Sequence, residues 1–232
     1  MINGFYSAKT GAKSFQNSLS VTANNIANVS TSNYKAQKVR FSELMATNVS
    51  GSDIEAGNGS RISSSYRDCG EGGYNVLSGT MSYAIDGQGY FAVKSADGST
   101  SYTRSGSFSK SEEGESYLVT NDGMYVLDAN NQRISVAEEI SSEDLSKVAL
   151  YKFENPEALT AAGNALFLPN DVSGGAMPDA ESKIIEGVEE RSNVNMVDEM
   201  TSMMNAQRGL QYNLKMVQTA DEIEQLINAL RN

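Results

Sequence analysis

One row of residues constrains this chain more than any other feature. Phe5, Ala8, Ala12, Phe15, Leu19, Thr22, Ile26 and Val29 follow one another in alternating steps of three and four. That spacing puts them on one side of a helix as a heptad seam, interrupted only by Thr22, that needs a partner helix. At a rise of 1.5 Å per residue, roughly 26 residues make a rod about 39 Å long. Asn3 is placed to cap its start. The same step returns at the other end of the chain, where a helical period is expected from about Ser182 to Leu230. Met203, Ala206, Leu210, Asn213, Val217 and Ala220 form the row, and Ile223, Ile227 and Leu230 continue it. A second set, Val197, Met200, Met204 and Leu214, points to another side of that helix. One apolar face serves one partner, and a second face calls for more neighbours. Nothing else in the chain is helical enough to enclose these two ends. They are therefore expected to pair with each other and to keep apolar surface for other copies of the chain.

Between them, from about residue 30 to 180, the pattern changes. Glycine, serine and asparagine separate short runs rich in Tyr, Phe and Val: residues 89–98, 101–108, 116–131, 147–153 and 164–170 each predict strands closed by turns. Asp97-Gly98 and Asn121-Asp122-Gly123 are hairpin signals. Eight of the eleven tyrosines lie between Tyr66 and Tyr151, which suits a half-buried sheet surface. Short helices are expected at Ala137–Lys147 and Pro156–Ala162. The fold class is therefore mixed α and β, with long N- and C-terminal helices forming a coiled-coil-like pair and with a central, mostly antiparallel β domain. The boundaries are 1–35 for the N-terminal helical part, 36–181 for the β domain with its flanking linkers, and 182–232 for the C-terminal helical part.

The chemistry available is narrow. Histidine is absent, which removes the usual general base, the common nucleophile pairs and the commonest transition-metal ligand. No catalytic residue can be nominated, and no cofactor or metal is expected. Gly87-Gln88-Gly89-Tyr90-Phe91-Ala92 formally fits a dinucleotide fingerprint, but a strand-like run follows where a helix N-terminus is needed. Asp128-Ala129-Asn130-Asn131-Gln132 opens like a calcium loop yet lacks the sixth-position glycine, so it is read as a β-turn. The single cysteine, Cys69, cannot form an internal disulfide, and nothing in the sequence suggests an activating base beside it. A net charge of −11, with Lys and Arg scattered, argues against nucleic acid as a partner. The acidic pairs Glu112-Glu113 and Glu189-Glu190 are read as solvated surface. No apolar run approaches the length of a membrane span, and no cleaved secretory signal is read at the N-terminus.

Several motifs carry a family resemblance. Ala23-Asn24-Asn25-Ile26-Ala27-Asn28, followed by Tyr34-Lys35, resembles the asparagine-rich signature of the flagellar rod and hook axial proteins and the aromatic-Lys element after it. Residues 85–91 and Tyr102-Thr103-Arg104-Ser105-Gly106-Ser107-Phe108 resemble that family's central-domain markers. Ser192-Asn193-Val194-Asn195, Ala206-Gln207-Arg208 and Gln218-Thr219-Ala220-Asp221 stand in the order and spacing of its C-terminal helix. The resemblance implies a structural subunit of the basal-body rod, of the distal-rod or a neighbouring type. About 40 residues separate Tyr34 from Tyr74, which leaves little room for the insertion that distal-rod members often carry there.

It further implies export through the flagellar type III apparatus, helical polymerisation needed for motility, location in the basal body, and partners among copies of itself and other rod and hook proteins. The expected assembly residues are Phe5, Ala8, Ala12, Phe15, Leu19, Asn24, Asn25, Ile26 and Asn28 at one end of the chain. At the other end they are Val197, Met200, Met203, Ala206, Gln207, Arg208, Leu210, Leu214, Val217, Ala220, Ile223, Ile227 and Leu230. Asn24, Asn25 and Asn28 are suited to hydrogen-bond backbone where helix gives way to extended chain. Two alternatives stay open: a hook-type protein, and a secreted β-rich adhesion module with helical oligomerisation arms.

Overall fold

A computed structural model describes residues 2–45, 47–48, 55–77, 82–111, 116–136 and 147–231. The chain divides into two compact units. Unit 1 gathers Met1–Asn28, Gln37–Tyr66 and Val194–Asn232, and unit 2 gathers Val29–Ala36 and Arg67–Asn193.

Unit 1 is built on two helices, α1 (Ile2–Ala27) and α2 (Met196–Arg231), which pack against each other. Helix α1 starts before Asn3, so that residue lies inside the first turn and is not its cap. Helix α2 has 36 residues, about 54 Å at the ideal rise. It begins later than its period suggested, at Met196, because Asn195 caps it: the Asn195 side-chain oxygen accepts the Val197 N–H at 3.1 Å. Asp198 and Glu199 in the first turn suit the positive end of the helix dipole.

The remainder of unit 1 is an antiparallel pair of strands, β1 (Gln37–Glu43) and β4 (Ser60–Arg67), with the short pair β2 (Thr47–Asn48) and β3 (Glu55–Ala56) between them. This arm lies along a polar stripe of α1. Thr10 and Ser14 donate to the carbonyls of Asn58 and Ser60, at 3.4 and 3.0 Å, and the Phe15 and Phe41 rings lie 5.8 Å apart.

Unit 2 is a sheet of short antiparallel strands. They are β5 (Tyr74–Val76), β6 (Ser82–Asp86), β7 (Tyr90–Lys94), β8 (Thr100–Thr103), β9 (Gly106–Lys110), β10 (Leu118–Thr120), β11 (Tyr125–Val126) and β12 (Leu150–Lys152). After these come β13 (Thr160–Gly163), β14 (Leu166–Leu168), β15 (Met177–Pro178), β16 (Lys183–Glu186) and β17 (Val188–Glu190). The main sheet runs β13-β14-β8-β7-β11-β10-β9-β6-β16, with β12 on β7 and β15 on β12, while β17 pairs with β5 apart from it. Strand β7 is its centre, and alternation along β7 feeds two clusters. Phe91 and Val93 join Ile85, Phe108, Leu118 and Val126 in one, and Tyr90 joins Phe153, Leu159 and Phe167 in the other. Between β6 and β9 the strands approach so closely that a Cβ on Gly106 would sit 1.9 Å from the Tyr83 carbonyl oxygen, so only glycine fits there.

Three expectations change in this unit. Residues 183–186 and 188–190 are strands, not the start of the C-terminal helix, because Ile184 packs on the sheet core and β16 pairs with β6. The helix expected at Pro156–Ala162 is a single 3-10 turn, Pro156–Ala158. Leu159 then leaves helical geometry (φ −58, ψ 135) to bury itself among Tyr90, Phe153 and Phe167, and β13 follows. The third concerns Glu189-Glu190 and is described below. The helix expected at Ala137–Lys147 lies outside the described residues apart from Lys147, and so does Glu112-Glu113.

Candidate assembly surface

The α1–α2 contact has a constant antiparallel register. A Cβ on Gly11 would come within 2.7 Å of the Asn213 side chain, and one on Gly209 within 2.6 Å of the Phe15 ring. Asn25 donates to Glu199 at 2.9 Å. Each advance along α1 is thus matched by an equal retreat along α2. Gly209 is what lets the Phe15 ring reach the α2 backbone.

The sequence-derived rows sort cleanly in unit 1. Ala8, Ala12, Phe15, Leu19 and Ile26 of α1 are buried or half-buried, as are Met203, Ala206, Leu210, Val217 and Ala220 of α2. The second α2 set stays outside: Val197 is 71% exposed, and Met200, Met204 and Leu214 are exposed beside Gln207 and Arg208. Phe5 is only partly covered. Helix α2 continues past the start of α1, and there Ile223, Ile227 and Leu230 stand exposed together with Leu226. The stripe Tyr212 and Met216, also exposed, was not read from the sequence, because their apolar side chains fall outside the three-four row.

The asparagines at the end of α1 have distinct roles. Asn25 is 1% exposed. Its Oδ1 accepts the Gln37 N–H at 2.9 Å while its Nδ2 donates to the Gln37 carbonyl at 2.8 Å, so one side chain satisfies both backbone groups of the residue opening β1. Asn28 turns back, its Nδ2 donating to the Asn24 carbonyl at 2.9 Å, and so closes the last turn.

In unit 2 a polar cluster joins the segments at which the chain enters and leaves that unit. Glu190 is 1% exposed. Its Oε1 accepts from Lys35 Nζ at 2.6 Å and from the Gly72 N–H at 3.0 Å, and its Oε2 accepts from Arg104 Nε at 3.1 Å. Arg104 also donates to the Gly87 carbonyl at 2.8 Å, and Lys35 to the Gly70 carbonyl at 2.8 Å. Asn193 accepts the Ala36 N–H at 2.7 Å and donates to the Asp68 carbonyl at 2.8 Å. Glu190 is therefore not solvated surface. Two cations and a backbone N–H replace water around its carboxylate, which the sequence of an isolated Glu-Glu pair does not reveal.

Burial pushes the Glu190 carboxyl up, but Arg104, Lys35 and the Gly72 N–H outweigh it and hold the group below its ordinary value of 4.5. Burial and the Arg104 charge lower the Lys35 ammonium below its ordinary 10.5, against the pull of Glu190. For Glu190 the unfolded chain takes up its proton first as pH falls. The stabilisation is full above 4.5 and is lost as pH drops through the lower folded value. Urea titrations across that acid range are expected to show a decline that is shallower in Glu190→Gln.

Cys69 is partly buried, and its burial raises the thiol, against a Tyr90 hydrogen bond and the Arg67 and Lys35 charges. The thiol stays protonated at neutral pH and is expected to alkylate more slowly in the folded chain than in urea at the same pH. Equal rates would contradict this.

Three family profiles match along the chain: "Flagella basal body rod protein" over residues 5–35, "Flagellar hook protein FlgE/F/G D1 domain" over 84–148, and "Flagellar basal body rod FlgEFG protein C-terminal" over 185–230. Among the relatives, the flagellar basal-body rod protein FlgG of Bacillus subtilis is 30% identical over 100% of both chains. FlgG of Agrobacterium fabrum is 31% identical over 95% of this chain and 96% of its own. The basal-body rod protein FlgF of Mesorhizobium japonicum is 26% identical over 99% and 98%. The first and last profiles fall on α1 and on β16 through α2, and the middle one falls on the β sheet. On the strength of full-length identity to FlgG, the chain belongs to the flagellar basal-body rod protein family.

Proposed function

We propose that this chain is a structural subunit of the flagellar basal-body rod and that its terminal helices are the polymerising element. The chain acts by assembly in the basal body and, like the structural rod proteins it is related to, performs no catalysis. One observation supports the helices in that role. α1 and α2 cover each other along one row and leave Val197, Met200, Met204 and Leu214, then Ile223, Ile227 and Leu230, exposed on α2. Apolar rows at heptad spacing on a helix that already has a partner favour further helices, supplied by other copies of the chain. The inner rows, with their constant antiparallel register, support a coiled-coil-like pair. Unit 1, with the 37–66 arm that packs on α1, would then act as the assembly part, in place of the expected 1–35 and 182–232. Export through the flagellar type III apparatus and contacts with other rod and hook proteins belong to the same reading. No helix among the described residues is long and apolar enough to cross a membrane.

Removing Met203–Leu230 is expected to leave a β unit that folds, because both of its apolar clusters lie within residues 83–167, but that cannot enter the rod. Cells making only the truncated chain should be non-motile. Normal swimming in those cells would overturn the reading.

A further inference from the structure

We propose that Lys35, Glu190 and Arg104 form a buried charge clamp that locks together, within unit 2, the segments feeding both assembly helices, and that polymerisation requires it. The proposal rests on the rod-subunit reading for its second half only.

The argument starts from topology. The chain enters or leaves unit 2 beside four places: Val29, Ala36, Arg67 and Asn193. Left alone, such short extended segments would fray, since each contributes little apolar burial. Here they are tied to one another by polar groups. Asn33 donates its N–H to the Glu190 carbonyl at 2.9 Å, Asp68 to Ala36 at 2.8 Å, Arg191 to Gly73 at 2.7 Å, and Asn193 to Tyr34 at 3.3 Å. At the centre the Glu190 carboxylate holds Lys35 from one segment, the Gly72 N–H from a second, and Arg104 from the β8–β9 turn. Arg104 is itself 2% exposed and lies over the Tyr90 ring at 5.6 Å, so the clamp is anchored in the sheet core. Around it lie Cys69, Tyr74, Tyr90 and Arg67; the Glu71 and Asp86 carboxylates act on Tyr74 and Glu157 on Cys69, while Glu190 is the carboxylate that contacts both cations.

A clamp of two cations on one anion is asymmetric. Removing the anion leaves two buried positive charges facing each other, which drives the segments apart. Removing Lys35 leaves the neutral Glu190–Arg104 pair and is milder. The segments released are those immediately before α2 and immediately after α1, so the clamp is a positioning device for assembly.

The test uses the full chain as monomer and polymer. In Glu190→Gln at neutral pH, amide exchange at Asn33 and Arg191 should quicken by ~100-fold or more, while Leu118 and Leu127 in the sheet remain protected. Sedimentable polymer should fall at least ~10-fold. Lys35→Met should show the same pattern, weaker, and Lys35→Arg should polymerise like the wild type. Unchanged exchange at Asn33 and Arg191 in both Glu190→Gln and Lys35→Met would overturn the clamp. So would sheet amides that open together with them. If Glu190→Gln does not fold, Lys35→Met decides by the same amides. Failure of the wild-type chain to polymerise would count against the rod reading, while the exchange comparison would still decide the clamp.

Discussion

Changing Leu210 to aspartate is expected to abolish polymerisation and to leave the β sheet folded. Leu210 is half-buried in the inner row of α2, between Ala206 and Asn213 and next to Gly209, where the Phe15 ring touches the helix backbone. A carboxylate there either stays charged in an apolar seam or pulls the helices apart to reach water, at a penalty of about 3 kcal/mol or more. The α1–α2 contact is the most extensive between two elements of unit 1, so opening it frees both helices. The sheet is indifferent, because its clusters draw no residue from α2. Leu19→Asp should act in the same way from the other helix. Leu214→Asp separates two roles: it lies on the exposed row, so the α1–α2 pair should persist in the monomer while polymer is lost. Sedimentation for assembly, together with far-UV dichroism and amide exchange for the two units, distinguishes these outcomes. Polymer of normal yield from Leu210→Asp would refute the helical seam.

The second large effect is expected at Asn25. In Asn25→Asp the side chain keeps its shape but loses its two donated hydrogen bonds, to the Gln37 carbonyl and to Glu199. It also sets a new carboxylate against the Glu199 carboxylate and a buried carbonyl. The loss of stability in unit 1 is put at about 2–4 kcal/mol, from a buried carbonyl left unpaired together with like-charge repulsion. Because the repulsion needs the new carboxylate ionised, the deficit should shrink as the solution is acidified and the introduced aspartate takes up a proton. Urea unfolding followed through helix content measures this. A wild-type midpoint at neutral pH would mean that Asn25 is not the junction between α1, β1 and α2 that its hydrogen bonds describe. Asn25→Leu, which removes the donors and the acceptor without adding charge, should be affected without the pH dependence.

The parts of this protein legible in its sequence are those where one local period decides. The α1 row is readable because Phe5 through Ile26 repeat with only Thr22 interrupting the apolar positions, and it ends in asparagines suited to the place where a helix stops. The strands around Tyr90–Lys94 and Leu118–Val126 are readable because alternation and Asp-Gly or Asn-Asp-Gly turns agree; Gly98 and Gly123 indeed take positive φ, 84 and 77. Residues 183–190 carried a misleading signal. Ile184 and Ile185 fit either period, and only pairing of β16 with β6 selects the strand. Pro156–Ala162 likewise looked helical, until burial of Leu159 in an aromatic cluster from distant strands ended the turn.

Helical period, strand alternation and turn chemistry are properties of neighbouring residues, so the sequence by itself determined a helix at each end, a β-rich middle and the absence of histidine-based chemistry. The tertiary structure decided what depends on residues far apart in the chain. It placed the 37–66 arm with the helices, set the register that seats Phe15 on Gly209, and turned a surface-looking Glu190 into the centre of a buried ionic cluster with Lys35 and Arg104. The physical reason is that a charge is assigned to water or to the interior by its partners, and here those partners arrive from segments 155 and 86 residues away.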